Sequence, residues 1–334
     1  MDKILTVSVA AYNDQKYIKR LLDSIIRMDT NLLENIEILV NDDGGTDNTR
    51  KIVEEYENKF PNIIKFIHKA NGGYGSVVNN NLEIACGKYF KQLDGDDCFD
   101  TDGLCKLIKV LKNNDVSMVY TPYELINVIT NKTRKIDVFG IETEGKYDIK
   151  DVELNTPLYM HSVCYKTELL RRNGYKQLER CLYTDVQYAI EPVAFTKTVY
   201  IMHDIVYLYF IGMDEQSISK MNLKKHYIDS INVSFELIKF YNDKNIVNGT
   251  NKYVRRCISD VCCGTIFNHI LLLDVNKKNL EILYKFDNEI KKRNREIFCD
   301  MSNYSKKVKM LRKFKYNYFI YLIMHFCCNK KIRR

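Results

Sequence analysis

Asp94, Asp96 and Asp97 close the run Lys88-Tyr-Phe-Lys-Gln-Leu-Asp-Gly-Asp-Asp97, which puts three carboxylates into one short turn. Carboxylates this close repel one another, so the arrangement asks for a compensating partner. The fitting partner is a hard divalent cation, because Mg²⁺ is commonly held by one or two carboxylates together with substrate phosphates. The apolar residues before the turn read as a strand. A strand ending there sets the carboxylates at the carboxyl edge of an α/β sheet, where ligands bind.

Two more turns lie at the ends of strand-like runs. Ile4 to Ala10 leads into Ala11-Tyr12-Asn13, and Ile36 to Val40 leads into Asn41-Asp42-Asp43-Gly44-Gly45. In a parallel sheet all three turns share one edge. The first two can then hold a base and ribose, and the third a diphosphate through a metal. A carboxylate of the second turn can accept from a pyrimidine N3–H. The loop Asn71-Gly-Gly-Tyr-Gly75 opens a helical segment and offers backbone N–H groups to an anion.

The elements that must position these residues alternate. Ile18, Leu21, Leu22, Ile25 and Ile26 recur at helical spacing. A second helix runs from a cap at Thr46 or Asp47 towards Phe60 and stops before Pro61; a third spans about 76–86, and a fourth 104–111. Strands are expected at 63–67 and 117–120 as well. This βαβ alternation predicts an α/β fold with a mostly parallel sheet flanked by helices. Beyond residue 120, segments 125–129 and 135–139 suggest a hairpin, 185–195 a helix, and 198–202 and 205–210 two short strands. After Asn222 the segments 223–241, 253–273 and 279–292 are long and helical. The expected division is 1–220 (halves 1–120 and 121–220), a helical extension at 221–300, and a tail at 301–334.

Composition narrows the function classes. The 334 residues, 46% hydrophobic and 28% charged, suit a folded globular chain with a sizeable core. Eleven cysteines without a C-x-x-C pair read as reduced thiols of a cytoplasmic protein, and no secretory leader is expected ahead of Ile4. The net charge of +8 is local: from Met301 onward there are ten Lys or Arg and no acid, which leaves 41 basic against 43 acidic residues elsewhere. Nucleic-acid binding by the main body therefore has no support. Asp94 to Phe99 fails as an EF-hand because Phe99 stands where glycine is needed. His161 and His203 read as structural histidines.

The order and spacing of the three turns closely resemble the family 2 glycosyltransferases of GT-A fold, over roughly residues 4–220. The carrying residues are Val9-Ala-Ala-Tyr-Asn13, Val40-Asn-Asp-Asp-Gly-Gly-Thr-Asp-Asn-Thr49, Asn71-Gly-Gly-Tyr-Gly75 and the D-x-D stretch Leu93-Asp-Gly-Asp-Asp97. The resemblance implies a GT-A domain with donor-site residues Ala10, Tyr12, Asn13, Asp42, Asp43, Asn71, Gly73, Asp94 and Gly95. Tyr12 and Asp43 would contact the uracil and its neighbourhood, Asp94 the ribose or sugar, and Asp96 with Asp97 a Mn²⁺ or Mg²⁺ ion. Asp185, some ninety residues past the D-x-D at a helix start, would be the catalytic base of an inverting single displacement. Tyr207 to Ser219 resembles a closing block of a bacterial subgroup, in which Gln216 and Ser217 would close over the diphosphate. The implied partners are a UDP-sugar donor and a glycan acceptor, lipid-linked and belonging to a surface polysaccharide. A metal-dependent nucleotidyltransferase and a catalytically silent sugar- or lipid-binding subunit are the competing classes.

The tail adds a separate expectation. Residues 316–328 are nearly all apolar, too few to span a bilayer, which needs ~20 residues, and basic clusters flank them. A helix of this kind can lie on an anionic membrane face, which would make the protein peripheral on the inner side of the cell membrane.

Overall fold

The computed structural model describes residues 3–139, 141–213, 219–244, 246 and 249–331. The chain falls into two compact units, one of residues 1–180 and 184–213, the other of residues 181–183 and 214–334.

The first unit begins with β1 (Leu5–Ala11), α1 (Ile18–Ile26), α2 (Thr30–Leu33), β2 (Ile36–Asp42) and α3 (Thr49–Lys59). It continues through β3 (Ile64–His68), α4 (Tyr74–Ile84), β4 (Tyr89–Asp94), β5 (Cys98–Phe99) and α5 (Thr101–Asn113). Then follow β6 (Met118–Tyr120), β7 (Tyr123–Asn127), β8 (Lys132–Ile136), β9 (Gly145–Asp148), β10 (Val163–Lys166) and α6 (Thr167–Arg172). Last come α7 (Asp185–Ile190), β11 (Thr198–Ile201) and β12 (Tyr207–Ile211). These strands form an eight-stranded sheet, β3-β2-β1-β4-β10-β6-β11-β9, and a four-stranded one, β5-β12-β7-β8.

The first four strands of the large sheet are parallel, β1 lying between β2 and β4. They are nearly continuous apolar runs: Leu5, Val7, Val9, Ile38, Leu39 and Val40 are wholly buried, as a sheet covered on both faces requires. β10 then enters antiparallel between β4 and β6, so the sheet is mixed, and the strand at 118–120 does not neighbour β4. The hairpin forms as β7–β8. The two late strands are not partners: β11 joins the large sheet beside β6, and β12 joins the small one beside β7 and β5. Apolar periodicity marks a strand but does not choose its neighbour.

Two features of this unit bear directly on the site. The acidic turn connects β4 of one sheet to β5 of the other, which places it where the sheets diverge. Gly75, in the first turn of α4, packs so closely on the backbone of Leu178 that a Cβ there would meet its carbonyl oxygen at 1.9 Å.

The second unit is helical: α8 (Lys220–Lys225), α9 (Tyr227–Asp243), α10 (Asn251–Gly264), α11 (Lys277–Arg293), α12 (Arg295–Tyr304), α13 (Lys306–Lys313) and α14 (Tyr318–Lys331). The helix expected over 253–273 ends earlier, passing into a π turn at Thr265–His269 and a 3₁₀ turn at Ile270–Leu272. Its core is Val233, Leu237, Ile258, Cys262, Leu283, Ile290, Ile297 and Met301. One buried ion pair crosses it: Arg312 Nη2 and Nε donate to Asp287 at 2.6 and 2.9 Å. The eleven cysteines are free thiols. Among the described residues no helix is long and apolar enough to cross a membrane.

Candidate active site

The end of β1 carries Ala10, half-buried, then Tyr12, which is 55% exposed. Asn13 takes a positive φ of 59°, a conformation asparagine tolerates, and its Oδ1 accepts from the Thr46 N–H at 2.8 Å. That bond ties the first turn to the second. The sequence reading passed over the next residue, Asp14, whose carboxylate accepts from the Tyr12 N–H at 2.9 Å. Burial, with Asp96, Asp47 and Asp42 nearby, raises this carboxyl to about 7 against the pull of that N–H. Asp14 thus lies between the second and third turns. It also crowds Gly95, where a Cβ would meet Asp14 Oδ2 at 2.1 Å.

The second turn is built from its own carboxylates. Asp42, 1% exposed, accepts from the Gly45 N–H at 3.0 Å and pairs with His68 Nδ1 at 2.8 Å. Asp43, 5% exposed, accepts from Lys69 Nζ and from the N–H groups of Gly72 (2.9 Å) and Gly73 (2.7 Å). The Gly-rich loop was expected to offer its N–H groups to a ligand anion; instead two of them hold Asp43. Gly73, at φ 82°, caps α4 and makes this turn possible, while Asn71 stays exposed beside it. A carboxylate has about four acceptor positions, and these three donors take up two on Oδ1 and one on Oδ2.

The acidic turn is more enclosed than its sequence implied. Asp94 is half-buried, and its Oδ1 has no hydrogen-bond partner among the described residues. Burial first, then Asp96 and Asp185, hold the Asp94 carboxyl well above the usual range. Asp97 is wholly buried and accepts from Tyr207 OH at 2.7 Å and the Phe210 N–H at 2.8 Å. Burial followed by Asp96 and Asp94 raises it too, against those two donors. Asp96 is half-buried, and its carbonyl accepts from Arg20 Nη2 at 2.5 Å, the guanidinium lying 3.7 Å from the Phe210 ring centre.

His161 departs from its expected role. The sequence predicts a satisfied structural histidine, yet it is 8% exposed and its Nδ1 has no hydrogen-bond partner among the described residues. Ligand atoms of Asp94, Asp97 and His161 lie within 4.8 Å of one another. Hence Asp94, rather than Asp96, shares this cluster with Asp97. Tyr209 stacks on the His161 ring at 4.3 Å, and Tyr207 meets it edge-on at 4.7 Å. These tyrosines are two apart on β12 and so face the same way. Beneath them the fully buried Lys91 donates to the carbonyls of His161 (2.9 Å) and Val163 (3.2 Å), and burial lowers its amine to about 8. His203, by contrast, meets the Glu142 carbonyl at 3.1 Å, an ordinary structural contact.

Asp185 is the first residue of α7 and is half-buried. Burial raises its carboxyl, opposed by its own N–H and that of Val186 at the helix start. It acts on Asp94, Tyr74 and Tyr209 across a long stretch of chain, and Tyr209 senses Asp94, Asp96, Asp97 and Asp185 together. The charge of the late aspartate is thus felt at Asp94, in the acidic turn. Gln216 and Ser217 lie outside the described residues. A groove of about 940 Å³ in the helical unit, lined by Ile231, Phe235, Ile282 and Tyr284, contains none of these groups.

The sequence pattern of "Glycosyl transferase family 2" matches residues 6–178. The chain belongs to that family. It is 34% identical over 134 residues to a putative glycosyltransferase, EpsH, of Bacillus subtilis, covering 40% of this chain and 38% of that one. To an uncharacterized glycosyltransferase of Mycoplasma pneumoniae it is 28% identical over 202 residues, 58% of this chain and 64% of the relative. The chain spans about a third to two thirds of the length of the curated relatives it matches. Among solved structures, TarS 1-349 of S. aureus in complex with UDP-GlcNAc aligns with a TM-score of 0.69 at 18% identity, over 93% of this chain and 92% of that one. The mannosyltransferase PcManGT of Pyrobaculum calidifontis, in complex with GDP-Man and Mn²⁺, aligns at 0.51 with 13% identity, over 98% and 87%. The fold is GT-A, and the family match lies within its first unit.

A divalent cation fits the cluster formed by Asp94, Asp97 and His161, because it would satisfy the two orphaned atoms, Asp94 Oδ1 and His161 Nδ1. The imidazole must be neutral to be a ligand, and it is: burial, then the Lys91 cation, lower it from 6.5 to about 3. The unfolded chain takes up that proton near 6.5, whereas the folded chain resists it down to about 3. The folded state thus loses stability as pH falls through that window. His161→Phe preserves the stack on Tyr209 and is expected to flatten the acid limb of the stability profile. Urea unfolding of both proteins at neutral and mildly acidic pH measures this, and equal pH slopes would count against it.

Proposed function

We propose that this chain transfers a sugar from a UDP-sugar to a hydroxyl of a glycan acceptor by single displacement with inversion. The observation that supports the reading is the cluster of Asp94, Asp97 and His161, whose ligand atoms lie within 4.8 Å of one another; in this reading Asp185, a carboxylate that burial raises, is the base. Such a carboxylate is a stronger base than an exposed one, and an acceptor hydroxyl must lose its proton as it attacks the anomeric carbon. Tyr12 offers its exposed ring to the base, Asp43 its remaining acceptor position, and Asp94 a group for the ribose or sugar. Asp94, Asp97 and His161 would hold the cation, with Asp96 adding negative charge beside it. Bound there, a Mn²⁺ or Mg²⁺ ion supplies charge neutralisation for the departing nucleoside diphosphate. A mixed carboxylate–imidazole set suits Mn²⁺ better than Mg²⁺, which prefers oxygen ligands alone.

The UDP-GlcNAc of the TarS complex and the GDP-Man of the PcManGT complex define the donors to try first. The acceptor in this reading is a lipid-linked glycan of a surface polysaccharide, met on the cytoplasmic side of the membrane. Incubating the protein with Mn²⁺ and a panel of UDP- and GDP-sugars is expected to release UDP from at least one donor, and mass spectrometry of the glycan reads the transfer. Pyrophosphate release, or no release from any donor, would remove the proposal.

A further inference from the structure

We infer that α14 docks the protein on an anionic lipid bilayer through an outward-facing apolar stripe. The helix packs inward with Tyr321, Met324 and Cys328, which are 0%, 3% and 5% exposed. On the opposite side Phe319, Ile323 and Phe326 are 66%, 39% and 57% exposed, and the i, i+4, i+7 spacing aligns them in one row. Tyr318 and Phe314, at 44% and 47%, extend the aromatic surface towards the helix start. A soluble helix ordinarily turns polar residues outward, whereas this one has apolar residues on both faces.

The charge of the preceding helix selects the occupant. Lys306, Lys309, Lys313 and Lys315 are exposed and make no ion pair among the described residues. Arg312 is a different case, because Asp287 and the Phe298 ring take up its guanidinium internally. Since no acid occurs from Met301 to the end of the chain, nothing in this segment neutralises the four lysines. A basic cluster that precedes an exposed aromatic row in the chain complements a surface with negative headgroups outside and acyl chains beneath. At 14 residues, α14 is too short to span the bilayer, so it lies in the interface. The docking surface asks nothing of the sugar chemistry, which resides in the other unit.

The experiment is vesicle sedimentation with the full chain. Binding is expected to vesicles of phosphatidylcholine mixed with phosphatidylglycerol, much less to phosphatidylcholine alone, and to weaken as salt screens the headgroups. The triple variant Phe319→Ser, Ile323→Ser, Phe326→Ser is expected to lose about tenfold or more in partition, because the three apolar side chains that would enter the bilayer are removed. Exchanging Lys306, Lys309 and Lys313 for Glu is expected to abolish the preference for anionic vesicles. An unchanged thermal midpoint and unchanged UDP release in both variants confirm that fold and active site are intact. Equal partition to both vesicle types, or full binding by the triple variant, overturns the inference. So does a wild-type dimer in solution that the triple variant splits, because a second copy would then be what covers the face.

Discussion

Asp185→Asn is expected to lower sugar transfer by about 10²–10⁴-fold, the range of a positioned general base, while UDP affinity stays within a few-fold. The substitution is nearly isosteric. It leaves α7 its first residue and both backbone N–H groups that face the side chain. What it removes is the proton acceptor and the negative charge that raises Asp94. In the proposed reading, nucleotide binding relies on other groups, at the ends of β1 and β2. Steady-state transfer rates together with calorimetric UDP binding separate the two effects. Wild-type turnover in this variant would exclude Asp185 as the base.

Asp96→Ala and His161→Ala are each expected to weaken metal-dependent donor binding by at least about tenfold, the scale seen when groups around a metal are removed. The two reach that result by different routes. His161 supplies a neutral nitrogen within 4.8 Å of the Asp94 and Asp97 oxygens. Asp96 supplies field: it raises both Asp94 and Asp97, and a cation placed among the three relieves that repulsion. Calorimetry with and without Mn²⁺ should show wild-type affinity dropping on metal removal. In each variant the same comparison should show little metal dependence. Donor binding that is equally tight without metal in the wild-type protein would contradict the cation site altogether.

The parts of this site legible in the sequence were those in which neighbours in the chain are also neighbours in space. Asp94, Asp96 and Asp97 share one turn, and no fold that keeps β4 can separate them. The turns after β1 and β2 were placed on a common edge because parallel strands end on the same side. Parallel pairing of β1 with β2 and β4 is what the structure has. The apolar runs marked most of the strands but not β5, β9 or β10. They did not reveal that β10 would insert antiparallel beside β4, since a short apolar strand pairs as well in either direction.

The chemistry of individual side chains was far less legible, because it depends on which distant atoms arrive nearby. Asp43 was matched to a base, yet most of its acceptor capacity holds Gly72, Gly73 and Lys69. Asp97 has the composition of an open metal ligand, yet it is wholly buried against Tyr207 and Phe210. Asp14 sits one residue past the first turn, and only folding brings it against Gly95 and the field of Asp96. No spacing rule links His161 to a turn so far upstream. Its lone Nδ1 becomes meaningful only once β10 and β12 close around it.

By itself, then, the order of residues determined that acidic turns line the carboxyl ends of strands, that a sugar-transferring family is matched, and that positive charge gathers at the end of the chain. Periodicity and local turn chemistry act over a few residues, and these facts need nothing more. Tertiary structure alone decided which carboxylates face each other, which are spent on backbone N–H groups, that His161 joins them, and which face of α14 is bare. Those outcomes turn on desolvation and on contacts between residues tens of positions apart, which a linear pattern does not encode.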